Sequence, residues 1–198
     1  MFVQIIEGRA ADADAMKRLM ETWMEELRPG ATGFLGTTAG VTPDGHAIAV
    51  VRFESAAAAK ANSDRPEQGE WWSQMEACYD GDVSFTESED VDTFLGGGSD
   101  DAGFVQVMKG HDLDRDAVAR LDVLFEQHAP TLRPDIIGGL RVWTGTDSGY
   151  DVTYFTSESE ARAGESKPFP PEFDDVMSDL EAMMANTEFL DLPDPWIY

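Results

Sequence analysis

The sequence has little of several things that chemistry commonly needs. It holds one cysteine, Cys78, so no internal disulfide can form, and a reducing compartment is the expectation. Glu76 and Asp80 flank it, and neither would favour a thiolate, so Cys78 reads as a small packing residue. Histidines number three, and His46, His111 and His128 show no metal-ligand spacing with a third group. Lysine and arginine together number 14 against 39 aspartates and glutamates, a formal net charge of −25. That balance excludes the basic footprint nucleic-acid phosphates require, and it disfavours anionic membrane surfaces. The longest apolar run, Ala47-Ile48-Ala49-Val50-Val51, is far too short to span a bilayer. The first residues are strand-like and lack a basic n-region, so no signal peptide is expected. No Gly-rich phosphate loop joins a strand to a helix, and no flavin or nicotinamide fingerprint is present. The expectation is a cytoplasmic protein without a metal or other cofactor, without nucleic-acid partners and off the membrane.

What is present is a sequence written twice. "MFVQIIEG" returns 102 residues later as "GFVQVMKG". Each copy opens on a strand, Phe2 to Glu7 and Phe104 to Lys109, ended by Gly8 and Gly110. An amphipathic helix follows, carried by Met16, Leu19, Met20, Trp23 and Leu27, then by Val118, Leu121, Leu124, Phe125, His128 and Leu132. Asp12 or Asp14, and Asp112 or Asp114, can cap these helices. Both stop at Leu-Arg-Pro, at Pro29 and Pro134, where the second copy has gained three residues. A hairpin comes next, turning at "TPDG" and "TDSG", with strands Gly33 to Thr38 and Ala47 to Phe53, then Leu140 to Thr144 and Tyr150 to Thr156. Glu54-Ser55 aligns with Glu158-Ser159 at the start of a short helix. Glu70, Trp71 and Met75 align with Glu172, Phe173 and Met177 in a second helix, and last strands fall near Val83–Thr86 and Thr187–Leu190.

Each half thus reads β-α-β-β-α-β, the ferredoxin-like split unit. The division expected is a first repeat over 1–95, a Gly/Ser/Asp linker over 96–102 and a second repeat over 103–198. The strands are apolar on both faces, Val3 and Ile5 on one and Phe2 and Ile6 on the other. A lone half would expose one of them, so the expected fold class is α+β, two tandem repeats forming one pseudo-dimeric α/β barrel. Further homo-oligomerisation stays open.

With this order of elements, and with "RFESAAAAKANSDRPEQGEWW" running from strand three into helix two, the chain resembles the dimeric α/β-barrel superfamily in fused two-repeat form. Antibiotic-biosynthesis and haem-degrading monooxygenases and an uncharacterised actinobacterial group belong to it. The resemblance implies the fold. It also implies that Asn62 with a tryptophan of helix two corresponds to an asparagine–tryptophan pairing of the monooxygenases. The axial histidine that the haem degraders carry on helix two is missing from "EWWSQMEACY" and "EFDDVMSDLEAMM".

Candidate site residues come from two observations. Gln4 and Gln106 keep an amide inside an apolar strand. Each must find a partner, in a ligand or in a neighbouring backbone or the other glutamine. The stretch "NSDRPEQGEWW" is where the copies part, the second carrying prolines and Phe173 instead. This points to the first repeat and to Asn62, Arg65, Trp71 and Trp72, although tryptophans pair into cores as readily as they line pockets. Arg52, aligned with Thr156, can bridge a strand end or hold a substrate carboxylate or phenolate. The function expected is binding of a small hydrophobic or aromatic molecule in the first repeat. The alternatives are a cofactor-independent monooxygenase of the antibiotic-biosynthesis type and a non-catalytic interaction module.

Overall fold

In the computed structural model, which describes residues 1–198, the twice-written strands sit at the middle of two five-stranded antiparallel sheets. In the first sheet β1 (Phe2–Arg9) lies between β3 (His46–Phe53) and β4 (Ser84–Ser88), and β2 (Phe34–Val41) lies outside β3. In the second, β6 (Phe104–Gly110) lies between β8 (Gly149–Phe155) and β9 (Thr187–Leu192), and β7 (Ile136–Trp143) lies outside β8. Registers correspond: Gln4 faces Val51 and Glu87, and Gln106 faces Thr153 and Asp191. The fold is α+β, with two tandem ferredoxin-like repeats. In each sheet the residues on the face away from the helices are buried, Val3, Ile5 and Val50 in one and Val105, Val107 and Val152 in the other.

The fifth strand of each sheet was not legible beforehand. β5 (Val91–Phe94), just ahead of the linker expected over 96–102, completes the second sheet beside β7. β10 (Trp196–Ile197) completes the first beside β2, and Tyr198 exchanges two backbone hydrogen bonds with Thr37. Phe94 and Trp196 are 102 residues apart, so the repeats trade equivalent edge strands. Contacts accordingly group Met1–Val91 with Asp194–Tyr198, and Asp92–Pro193 as the other unit. The repeat boundaries at 95 and 103 follow the sequence period; the contact boundaries follow the traded strands.

The helices form where apolar spacing and caps place them. Asp12 accepts from Ala15 N to start α1 (Ala13–Thr22), which continues as a π turn over Trp23–Leu27 and a tight turn over Arg28–Gly30. Asp114 accepts from the amides of Asp116 and Ala117 to start α4 (Arg115–Leu132). The three residues gained in α4 are returned in the following loop, because Phe34 and Ile136 are again 102 apart and occupy one register position. Ser55 caps α2 (Ala56–Ser63) and Ser157 caps α5 (Glu158–Glu165). The alignment of Ser55 with Ser159 is therefore corrected by two residues: the cap, not the Glu-Ser text, keeps the period. α3 (Pro66–Glu76) starts on proline at its first position. Its counterpart is a 3-10 turn over Pro171–Val176 followed by α6 (Met177–Ala185).

Smaller corrections concern glycines. β1 runs through Gly8 to Arg9 rather than stopping there. β7 begins at Ile136, earlier than expected, because Gly138 and Gly139 sit inside it and leave room for Gly97 and the Phe94 ring. Gly45 does take the left-handed position of its turn, with φ +92°. Cys78 is buried with its thiol on the Gln74 carbonyl, and burial raises its pKa. No helix is long and apolar enough to cross a membrane.

Candidate functional site

The first repeat encloses a cavity of about 280 Å³ between its sheet and its helices. Alternation along β1 and β3 decides which side chains reach it: Gln4 and Ile6 from one strand, Ala47, Ala49, Val51 and Phe53 from the other. The helices contribute Met16, Met20 and Trp23, then Trp71, Trp72 and Met75, and the traded strand contributes Trp196. Aromatic rings adjoin one another around it. Trp23 lies 4.8 Å from Phe34 and 6.4 Å from Trp71, Trp71 lies 6.3 Å from Trp72, and Trp72 lies 5.2 Å from Phe85. These are offset or edge contacts of the favourable kind. No charged side chain lines the cavity, and its one tyrosine, Tyr79, has its pKa pushed up to about 12 by burial.

The six candidate residues part company here. Gln4, Asn62, Trp71 and Trp72 line the cavity; Arg52 and Arg65 do not. Gln4 donates to Glu87 at 2.8 Å, and Gln106 donates to Asp191 at 2.8 Å. The twice-kept amide is thus a cross-strand glutamine–carboxylate pair, and neither a backbone group nor the other glutamine is the partner. Arg65 binds the Leu27 carbonyl at 3.0 Å and Asn62 Oδ1 at 2.9 Å, and its Nε reaches Glu67. Lys167 binds the Leu132 carbonyl at 3.1 Å. Arg65 and Lys167 therefore do one job, closing the carbonyl end of the first helix of each repeat. The copies differ less there than their letters suggest. Asn62, buried, corresponds to Gly164, whose missing side chain leaves space for the Arg133–Asp135 pair.

Arg52 pairs in register with Val3, so its counterpart is Tyr154, paired with Val105, and not Thr156. It points to the sheet face opposite the cavity, with a buried Nε that finds no partner. Of the tryptophans, Trp71 donates to the Leu19 carbonyl at 2.8 Å and Trp23 to Gln68 Oε1 at 2.6 Å. Trp72, between Tyr79 and Phe85, is a cavity aromatic without an aromatic counterpart, since Asp174 occupies its place in the second repeat.

Sequence reasoning missed Thr37. It is 1 % exposed on the cavity wall, and its Oγ1 has no hydrogen-bond partner in the protein. A buried hydroxyl left unpaired costs about 1–3 kcal/mol. The signal was available, because its counterpart one period on is Gly139. Thr37, Asn62 and Trp72 are polar or aromatic groups on the cavity that the second repeat does not repeat. Trp196 was missed because its strand pairs outside its own repeat.

The second repeat holds a larger cavity of about 750 Å³, in which Phe94 takes the place of Trp196. Its wall is ionic as well as apolar, with Arg133, Arg141 and Arg162 among the lining residues.

No protein-family model matches the chain, and no curated protein matches it in sequence. Solved structures do match. A candidate monooxygenase of Lactobacillus acidophilus NCFM superposes with TM-score 0.69 at 10% identity, over 100% of this chain and 99% of that one. A candidate monooxygenase of Fusobacterium nucleatum subsp. nucleatum gives 0.71 at 11%, over 99% and 93%. An anthrone oxidase-like protein gives 0.62 at 11%, over 99% and 93%. At such identities the likeness is one of fold. Taken with the element order and the traded edge strands, it gives this chain a tandem ferredoxin-like fold.

Proposed function

We propose that the first-repeat cavity binds a small aromatic molecule bearing a hydroxyl or carbonyl oxygen. The observation that carries this reading is the unpaired Thr37 hydroxyl on the wall of a cavity lined mainly by aromatic and aliphatic side chains. A ligand oxygen there restores the missing hydrogen bond, and the rings of Trp23, Trp71 and Trp72 supply flat apolar contact. The volume suits a small fused-ring molecule. Four of the five tryptophans line this cavity, so binding is read by quenching of intrinsic fluorescence. Titration with a naphthol should quench, and Thr37→Val should weaken binding about five- to tenfold while leaving thermal stability equal or higher. Naphthalene, without the oxygen, should bind Thr37→Val and the parent protein alike. No quenching by any member of a phenol and naphthol panel would sink the reading.

A second reading follows from the shared fold with the candidate monooxygenases and the anthrone oxidase-like protein. In it, a ring methylene of the bound molecule becomes a carbonyl. Dioxygen gives one oxygen atom to the product, and the other leaves as water with the two hydrogens. The cavity places no carboxylate or imidazole where it could take the first proton. The substrate must then ionise by its own acidity, and turnover should rise with pH along the substrate's pKa, not a protein group's. Oxygen consumption with anthrone-type and phenolic substrates measures it. Binding without oxygen uptake across that panel leaves the first reading standing and removes this one.

A further inference from the structure

The second-repeat cavity differs from the first by a linked change. Met20, Ala39 and Ala49 line the first cavity, and the residues 102 positions on are Asp122, Arg141 and Asp151. The register confirms the equivalence: Ala39 pairs with Ala49 across β2 and β3, and Arg141 pairs with Asp151 across β7 and β8. These three charges form one cluster. Arg141 Nε donates to Asp151 at 2.6 Å, Nη2 to the other Asp151 oxygen at 3.0 Å, and Nη1 to Asp122 at 2.5 Å.

A partly buried ion triad, with Arg141 and Asp151 largely covered and Asp122 about half exposed, is a poor way to add stability, since desolvation offsets much of the attraction. Three small or apolar residues do well at the same positions one repeat earlier. The triad also lies on a cavity large enough for a drug-sized molecule. Its charge is not balanced. Arg141 faces two carboxylates, and Asp92 and Glu126 line the same cavity. Arg133 and Arg162, also on the wall, are occupied by Asp135 and by Asp191 and Glu165. Burial pushes the Asp151 carboxyl up, Arg141 opposes this, and Asp122 and Asp92 act in the same sense as burial. An anion would meet this excess of carboxylate; a cation would relieve it. The remaining wall is apolar and adaptable, with Met108, Met183 and Met184 beside Phe125, Phe169 and Phe173.

We propose that the second-repeat cavity is a separate binding site for an elongated apolar molecule ending in a protonated amine, the amine held by Asp122 and Asp151 and the apolar body by the methionine and phenylalanine wall. It is independent of the reading given for the first cavity.

The test is calorimetric titration of the full chain with three probes of one shape: phenylbutylamine, phenylbutanol and phenylbutanoate. The amine should bind at least about tenfold more tightly than the alcohol, and the acid should not bind. Butylamine, which the acidic surface would attract equally, should bind at least about tenfold more weakly than phenylbutylamine. The combined change Asp122→Met, Arg141→Ala and Asp151→Ala, which installs the first repeat's residues, should abolish the preference for amine over alcohol. Should that variant fail to fold by circular dichroism, Asp122→Asn alone should weaken the amine several-fold and leave the alcohol unchanged. Thr37→Val should leave amine binding unaltered, separating this site from the first cavity. The proposal is overturned if the amine does not bind, if the alcohol, the acid or butylamine binds as well, if Thr37→Val weakens the amine, or if the preference survives in the folded triad variant or in Asp122→Asn.

Discussion

Two cavities occupy the same place in two copies of one fold, and they are lined by opposite chemistry. The first is small, rich in aromatic rings and uncharged, and Thr37 Oγ1 is a fully buried polar atom on it without a partner. The second is larger and carries ions on its floor. The backbone registers that position both are the same, down to the glutamine–carboxylate pair on the central strand. Duplication fixed the scaffold, and a handful of side chains facing inward then set each cavity's preference.

The sharpest way to break this comparison is at Arg141, whose side chain is 12 % exposed. Arg141→Ala strands the Asp151 carboxylate and should cost about 3–5 kcal/mol in denaturant unfolding. Replacing the whole triad by Met, Ala and Ala should cost far less, or stabilise, because the first repeat already tolerates those residues there. If the single and triple variants are equally unstable, the two cavities are not interchangeable frames.

A smaller effect should appear at high pH, and from the first repeat. Burial raises the Tyr79 phenol to about 12, above its ordinary value near 10. The folded protein then holds a proton that the unfolded chain releases. Stability is therefore full below about pH 10 and falls as pH rises toward 12. Tyr79→Phe should flatten that decline, read as the pH dependence of the unfolding midpoint. The corresponding position in the second repeat is Glu181.

The smallest effect should separate the twin glutamines. Gln106 is buried, and its partner Asp191 is also held by Arg162, whereas Glu87 opposite Gln4 is exposed. Gln106→Leu should cost about 1 kcal/mol and Gln4→Leu less, by thermal denaturation. Equal losses would mean that the pair acts through the strand rather than through its carboxylate.

Most of the scaffold was legible because it rests on local rules that repeat. Asp12 and Asp114 cap, Pro134 follows the end of α4, Gly45 turns a hairpin, and alternation puts Gln4 on the same face as Phe2 and Ile6. What escaped was non-local. Val91–Phe94, assigned to the end of the first repeat, shows as a strand only once its partner is known. Trp196 sits beyond the last predicted strand and belongs to the other sheet. For the candidate site, Asn62, Trp71 and Trp72 were visible as a divergence between copies. Arg65 was over-read, because Arg65 and Lys167 look different and do the same thing. Thr37 was passed over because a threonine in a strand is ordinary; only its lack of a partner marks it. The Asp122–Arg141–Asp151 triad is spread across three elements, and it becomes visible only when the strand register lines it up with Met20, Ala39 and Ala49.

The traded edge strands impose an order in time. During synthesis the ribosome delivers Trp196 and Ile197 only after the entire second repeat, while Val91–Phe94 emerges before the sheet it will complete. The second sheet can therefore be finished as its own residues appear. The first sheet must wait, with β2 unpaired on one side, until Trp196 and Ile197 have been made. The aromatic cavity of the first repeat, although built mostly from the earliest residues, is completed only after the second repeat has been made.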